Sequence, residues 1–287
     1  MKKTFILIVI AAFMGSLSAQ EQPAQAEKAK PVRFTFSATR LIENQTTETP
    51  YKGGIEFQIL HRFSLIESYH DLFGIYGTAN TRLGLNYGIT DRLMIGIGTT
   101  RDYKLQDLQW KYLILQQMED NSMPVSLSYY GNVVLNLQAK ENFGPVERFR
   151  DIHRLSYFNQ FIVARKFNDI FSAQVAPAVI YYNAVPQYSD GTKYKNLDFA
   201  VSAGARAVLF GSHALVAEYD QLITKQDLPE QPKPNVSLGW EIATATHTFE
   251  IFVTNYSMII NQQNLVFNNN DFRKGQYMVG FNISVRF

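Results

Sequence analysis

Gln276-Tyr-Met-Val-Gly-Phe-Asn-Ile-Ser-Val-Arg-Phe287 closes the chain with a strict two-residue period. Tyr277, Val279, Phe281, Ile283, Val285 and Phe287 share one parity. Gln276, Met278, Gly280, Asn282, Ser284 and Arg286 share the other. Successive side chains of an extended chain point to opposite sides. The segment is therefore a strand with its bulk on one face and small or polar groups on the other.

The same pattern runs back through the chain to Gly53. Phe249, Ile251 and Val253 alternate with Thr248, Glu250, Phe252 and Thr254. Val236, Leu238, Trp240 and Ile242 alternate with Ser237, Gly239, Glu241 and Ala243. Leu93, Ile95 and Ile97 oppose Arg92, Met94, Gly96 and Gly98. Turn residues separate such segments. The pattern predicts twelve strands, over 53–62, 78–88, 92–101, 106–116, 124–136, 153–165, 170–182, 196–209, 213–223, 235–243, 247–257 and 276–287. Two positions resist it. Pro177 lies inside a strand without an N–H to give, which predicts a bulge. Asn159 falls on the apolar face of its strand.

The connections alternate in length. Residues 63–77, 137–152, 183–195, 224–234 and 258–275 are long; 89–91, 117–123, 166–169, 210–212 and 244–246 are short, and 102–105 is a tight hairpin on the long-loop side. An even strand count with short turns at one end and long loops at the other is the pattern of a bacterial outer-membrane barrel. A soluble β-sandwich has no reason to sort its loops by parity. The face rich in Gly, Ala, Ser and isolated charges suits a barrel interior, and the apolar face suits lipid. Aromatics gather at strand ends, with Tyr87, Phe167, Phe171, Phe210 and Phe287 on the short-turn side and Tyr103, Tyr181, Tyr256 and Tyr277 on the other, as in interfacial girdles. The expected fold is an all-β, transmembrane, antiparallel up-and-down β-barrel of twelve strands.

The N-terminus carries an export signature. Lys2 and Lys3 precede the apolar run Phe5–Met14, and Gly15-Ser-Leu-Ser-Ala19 supplies small residues for cleavage. That run is too short to span a bilayer as a helix, which takes about 20 residues. The expected organisation is a signal peptide at 1–19, a periplasmic leader or lumen segment at 20–52, and a barrel at 53–287. Within the leader, Val32, Phe34 and Phe36 alternate with Arg33 and Thr35, which fits either a short strand or a segment tucked inside the barrel.

Composition narrows the function classes. Of 287 residues, 18% are charged and 14% aromatic, a balance that opposes disorder. The 27 Lys and Arg exceed the 25 Asp and Glu only by the count of Lys2 and Lys3, so the exported chain is balanced and gives no warrant for nucleic-acid binding. Without cysteine there is no disulfide framework, thiolate metal site or cysteine nucleophile.

Several phrases carry a family resemblance: Thr39-Arg-Leu-Ile42, Thr46-Thr-Glu-Thr49, Gly54-Ile-Glu-Phe-Gln-Ile-Leu-His-Arg-Phe63 and Leu85-Asn-Tyr-Gly-Ile-Thr-Asp-Arg-Leu93. They resemble a family of bacterial outer-membrane barrels catalogued as domain of unknown function 5777. The resemblance implies a membrane barrel and supplies no catalytic residues. The C-terminal strand ending at Phe287 also resembles the signal read by the outer-membrane assembly machinery, which would make that machinery and the lipid bilayer the expected partners. No cofactor is expected.

No nucleophile elbow, phosphate loop, dinucleotide fingerprint or metalloprotease helix is present. His61, His70 and His153 belong to the long-loop end. They fit ordinary loop and interface positions better than a metal or hydrolase site, because their spacing shows no convergence. His70-Asp71 is the best candidate for a carboxylate-oriented imidazole. The first long loop either folds into the mouth or caps it. The inward parity collects charge: Glu56, Arg62, Arg82, Arg92 and Lys111 on early strands, then Arg206, Glu218, Asp220, Glu241, Glu250 and Arg286 on later ones. A basic wall thus opposes an acidic one, either as a field across a narrow wet passage or as ion pairs that fill it, since unpaired charge is not buried dry. Arg206 and Asp198 break the segregation. Three functions follow: a narrow channel for small polar solutes, an outer-membrane enzyme using His61, His70, Asp71 or His153 at the rim, and an interaction barrel with a blocked lumen.

Overall fold

The computed structural model describes residues 29–188 and 190–287. The signal peptide expected at 1–19 and the first part of the leader lie outside the described residues. The strands are β1 (Ile55–Leu65), β2 (Asn80–Thr90), β3 (Leu93–Thr100), β4 (Leu105–Leu115), β5 (Ser126–Asn136), β6 (Leu155–Lys166), β7 (Phe171–Tyr182), β8 (Leu197–Phe210), β9 (His213–Leu222), β10 (Asn235–Ala243), β11 (His247–Thr254) and β12 (Met278–Arg286). Each pairs antiparallel with its sequence neighbours, and β1 pairs with β12, so the sheet is a closed up-and-down barrel. Closure leaves no strand edge to satisfy, which is the condition for crossing hydrocarbon with strands.

The two faces separate as the period demands. In β12, Met278, Gly280, Asn282 and Ser284 are buried while Val279, Phe281 and Ile283 are half-exposed on the outside. Leu238, Trp240, Phe249, Ile251 and Val253 continue that apolar outer surface. The molecule is therefore greasy outside and polar inside, the reverse of a water-soluble sandwich. Among the described residues no helix is long and apolar enough to cross a membrane.

The exceptions are informative. Pro177 makes no bulge. Gln160 faces Ala178 and Val163 faces Val175, so the β6–β7 register is the same on both sides of the two missing rungs. Proline's fixed φ is compatible with an extended strand; only its hydrogen bond is lost. Asn159 does face outward, where it is half-buried and its Oδ1 accepts from the Tyr129 hydroxyl on the neighbouring strand at 2.5 Å. Pairing on the lipid face removes most of the cost of an amide in hydrocarbon. Tyr256 is not in the outer girdle. It lies past the end of β11 with its ring buried inside, and its hydroxyl accepts from Ser237 at 2.8 Å.

Of the long loops, 66–79 stays outside. Tyr69, Phe73 and Tyr76 are exposed, and the loop is braced by Asp71. The segment that turns inward is the last long loop. It carries α1 (Asn261–Phe267), of which Asn261–Val266 are buried. Seven residues do not hold a helix in water by themselves. This one is held by packing, with Leu265 and Val266 in an apolar cluster with Tyr130, Phe158, Ile162, Ile180 and Tyr194.

Candidate functional site

The interior of the barrel is occupied by the chain's own N-terminal segment. Val32 N–H donates to Gln117 O at 2.8 Å, and Pro31 bridges Met118, so the first described residues lie against the short-turn end. From Thr35 to Thr47 nearly every residue is buried. The segment makes a hairpin within the lumen. Thr46 N–H donates to Thr39 O and Leu41 N–H to Asn44 O, each at 2.9 Å, with Arg40 opposite Gln45. It then returns to the short-turn end and enters β1 at Ile55.

The hairpin tip is gripped from several sides. Glu218 on β9 accepts from the backbone N–H groups of Glu43 and Asn44, both at 2.9 Å, and Asp220 accepts from Asn44 Nδ2 at 2.7 Å. Arg62 on β1 donates to Glu43 at 3.0 Å and to Ile42 O at 3.1 Å. Asn282 on β12 donates to Ile42 O at 2.8 Å, and Asn261 of α1 donates to Glu43 O at 3.3 Å. Within the hairpin, Arg40 pairs with Glu43 at 3.0 Å. Lower down, Lys111 Nζ donates to Thr39 O at 2.7 Å and Glu48 O at 3.0 Å, pinning the two legs together. Ser37 donates to Glu241 and Thr39 donates to Glu56.

Small residues on the wall make room for the plug. Phe36, Leu41 and Ile42 pack with Ala164, Val216 and Phe252. A Cβ on Gly204 would meet Leu41 Cδ1 at 2.7 Å; one on Gly239 would meet Phe252 Cβ at 2.8 Å and Ile42 Cδ1 at 3.1 Å. The glycines on the inward face of the sequence are thus the complement of the hairpin's apolar side chains.

The inward charges fall into pairs with near neighbours. Arg82 meets Asp107 at 2.6 Å, Arg206 meets Glu241 at 2.7 Å, and Arg286 meets Glu56 at 2.9 Å. Glu250 accepts from Asn282 at 2.6 Å. Arg92 is different. It is exposed in the turn between β2 and β3, one residue before the strand begins, and Met94 occupies the first inward position. Its parity was right but its strand was too short to contain it. Asp107, Arg40, Glu43 and Glu48 complete the network and were not foreseen. Asp107 shares the parity of Lys111 on β4 and could have been found from that alone. The other three sit in a segment without strand periodicity, where parity has nothing to say.

The histidines do not converge. His61 lies on the outer face of β1, stacked on Phe281 with centroids 4.8 Å apart and hydrogen-bonded to Thr81 at 2.9 Å. His153 is in the β5–β6 loop, where its Nδ1 accepts from Arg150 N–H at 3.2 Å. The Asp71 carboxylate does not orient His70. It accepts from the backbone N–H groups of Glu67, Ser68 and Gly74 at 3.0, 3.3 and 3.0 Å, and these hold it below the usual carboxylate pKa range. Among the described residues no three acidic or histidine side chains are grouped to hold a metal ion.

A closed twelve-stranded up-and-down barrel, apolar outside and holding its own hairpin inside, defines a porin-like membrane protein by fold. The chain belongs to the family described as membrane-bound beta barrel domain, domain of unknown function 5777, whose model matches residues 36–287. That match begins where the chain enters the lumen, so the hairpin is part of the family's domain. The fold is similar to that of the NanC porin, with a TM-score of 0.52 and 7% identity over 80% of this chain and 98% of that one. It is also similar to the KdgM porin, with a TM-score of 0.50 and 6% identity over 82% of this chain and 99% of that one. No curated protein matches the chain.

Proposed function

We propose that this is an exported outer-membrane barrel that passes small polar solutes only when the 36–49 hairpin is displaced from the lumen. The observation that carries the reading is the chemistry of the seal. Beside the apolar packing of Leu41 and Ile42, the hairpin tip is held by carboxylates, a guanidinium and amides, groups that water can replace. A plug tied by polar contacts can detach into water, because its partners are rehydrated rather than stripped. Several buried polar atoms along it, including both ends of the Gln45 amide, Arg40 Nε and Arg62 Nε, have no partner among the described residues. Such groups call for water inside the barrel. The inward charges then serve to seat the hairpin at rest and to line the passage when it leaves.

The test is conductance in planar bilayers. The chain has no native cysteine, so a single pair, Asn44→Cys with Asp220→Cys, can tether the tip to the wall. The wild-type chain is expected to be mostly closed with rare openings, and Arg62→Gln is expected to open more often. Oxidising the cysteine pair should abolish openings and reduction should restore them. A conductance that ignores the tether, or silence in every variant despite correct folding, would overturn the reading. Universal silence would favour a permanently sealed barrel that displays its long loops, a role to which the apolar seating of α1 is suited.

A further inference from the structure

A second feature lies outside the hairpin, at the long-loop end. There β5, β6, β7 and α1, with the loops around them, enclose a cavity of about 340 Å³ that opens to the exterior. That is within the roughly 300–1,000 Å³ range of small-ligand sites. Six aromatic residues line it, Tyr103, Phe143, Tyr182, Tyr188, Tyr194 and Phe267, beside aliphatic side chains such as Leu105, Leu155 and Val185. Phe267 on α1 stands edge-on to Tyr194 at 4.8 Å and to Tyr182 at 5.2 Å, which fixes the rings as a rigid corner. The amides of Asn136, Gln138, Asn142, Gln263 and Asn269 line it too; Asn136 Nδ2 donates to Gln138 Oε1 at 3.3 Å and Asn142 Nδ2 to Ala139 O at 3.1 Å.

The electrostatics of the cavity are close to neutral. No carboxylate lines it. Its guanidinium, Arg154, is already spent, with Nη1 donating to Asn136 O at 2.9 Å and Gln138 O at 2.6 Å while the group lies over the Phe143 and Phe149 rings at 5.3 and 5.0 Å. His153 uses Nδ1 as an acceptor for Arg150 N–H. A cationic ligand would find no counter-charge, and an anionic one would find a cation whose geometry is committed.

We propose that this cleft binds a neutral saccharide of one or two pyranose rings. A pyranose offers a C–H face to an aromatic ring and a rim of hydroxyls that both donate and accept. Amide side chains also both donate and accept, so they suit that rim. A purely apolar or aromatic ligand would make no use of the amide side chains that line the cavity. The site is separate from the hairpin, and it holds whether or not the lumen ever opens.

The test uses the full mature chain in a zwitterionic detergent without a sugar headgroup. Cellobiose and N,N′-diacetylchitobiose are the probes, read by calorimetry and by saturation-transfer NMR. Leucine, glucuronate and a phenol serve as controls. Saturable binding of at least one neutral disaccharide is expected. Tyr194→Ala and Asn269→Ala, both in loops, should each weaken it about tenfold, as loss of a central contact does. Tyr76→Ala, on the loop outside this cavity, should leave it unchanged. Absence of saturable binding by both probes, binding that ignores the Tyr194 and Asn269 changes, or preference for the phenol or glucuronate would each overturn the proposal. Heat-modifiable migration of every variant separates lost binding from lost folding.

Discussion

Arg82 and Asp107 illustrate how a single pair is held in this lumen. Both side chains are buried, and the guanidinium reaches the carboxylate at 2.6 and 2.9 Å. Breaking a buried pair by removing one partner costs about 3–5 kcal/mol, whereas replacing both by apolar groups is often neutral. Arg82→Met alone should therefore lower the unfolding midpoint sharply in urea titrations from lipid vesicles. The double change Arg82→Met with Asp107→Leu should recover most of the loss. Equal losses for single and double variants would contradict this account. Lys195–Asp227, an exposed loop pair at 3.5 Å, is the contrasting case, and its removal should cost about 0–1 kcal/mol. Asp71 supplies a pH prediction. The Glu67 and Gly74 N–H groups favour its ionised form, so its pKa is lower folded than unfolded. The bracing of the 66–79 loop is then complete above the ordinary carboxylate pKa of about 3.9 and is lost as pH falls through the lower, folded value. The Gly74 amide resonance should titrate with a midpoint below about 3.9; a midpoint at or above it would show that Asp71 does not brace the loop.

At the scale of elements, the twelve strands were legible because each satisfies one local rule, a period of two between turn residues. What that rule could not reach is also clear. Residues 36–49 and α1 lie inside the barrel by long-range contact, and neither carries a period that announces it. For the leader, the alternation of Val32, Phe34 and Phe36 left a lumen position open, and the wall glycines of β8 and β10, Gly204 and Gly239, mark where the hairpin packs. Gly239 marks the point, since a Cβ there would stand 2.8 to 3.1 Å from Phe252, Ile42 and Val216. Gly239→Val should destabilise the folded state by about 1–3 kcal/mol through overpacking, measured by urea titration, and should loosen the hairpin in protease protection of residues 36–49. A neutral effect would mean that the hairpin does not pack against β10. The charge walls were half legible. Parity put Glu218, Asp220, Glu241, Arg62 and Lys111 on the inward face, but it could not reveal that most of their partners lie on the hairpin. Arg92 was lost at a strand boundary, where parity has no meaning.

At the scale of the whole molecule, two statements carry the rest. The apolar faces look outward into hydrocarbon, and the polar faces close on a hairpin instead of on open water. Ordinary barrels of eight strands fill with side chains, while those of 16–18 stand open. Here the space left by twelve strands is filled by 36–49 from one end and α1 from the other. The hairpin's ion pair with the wall, the glycines on the wall and the inward α1 all follow from that filling. Spin-label accessibility along β12 in lipid vesicles tests both statements at once, using single cysteines at positions 279 to 284 of a chain that has none of its own. Labels at 279, 281 and 283 should be reached by lipid-dissolved oxygen and not by a water-soluble nickel complex, while labels at 280, 282 and 284 should be shielded from both. Free access of the nickel complex at 280, 282 and 284 would mean an open, unplugged lumen, and oxygen access at those positions instead of at the odd ones would mean that the barrel faces the other way.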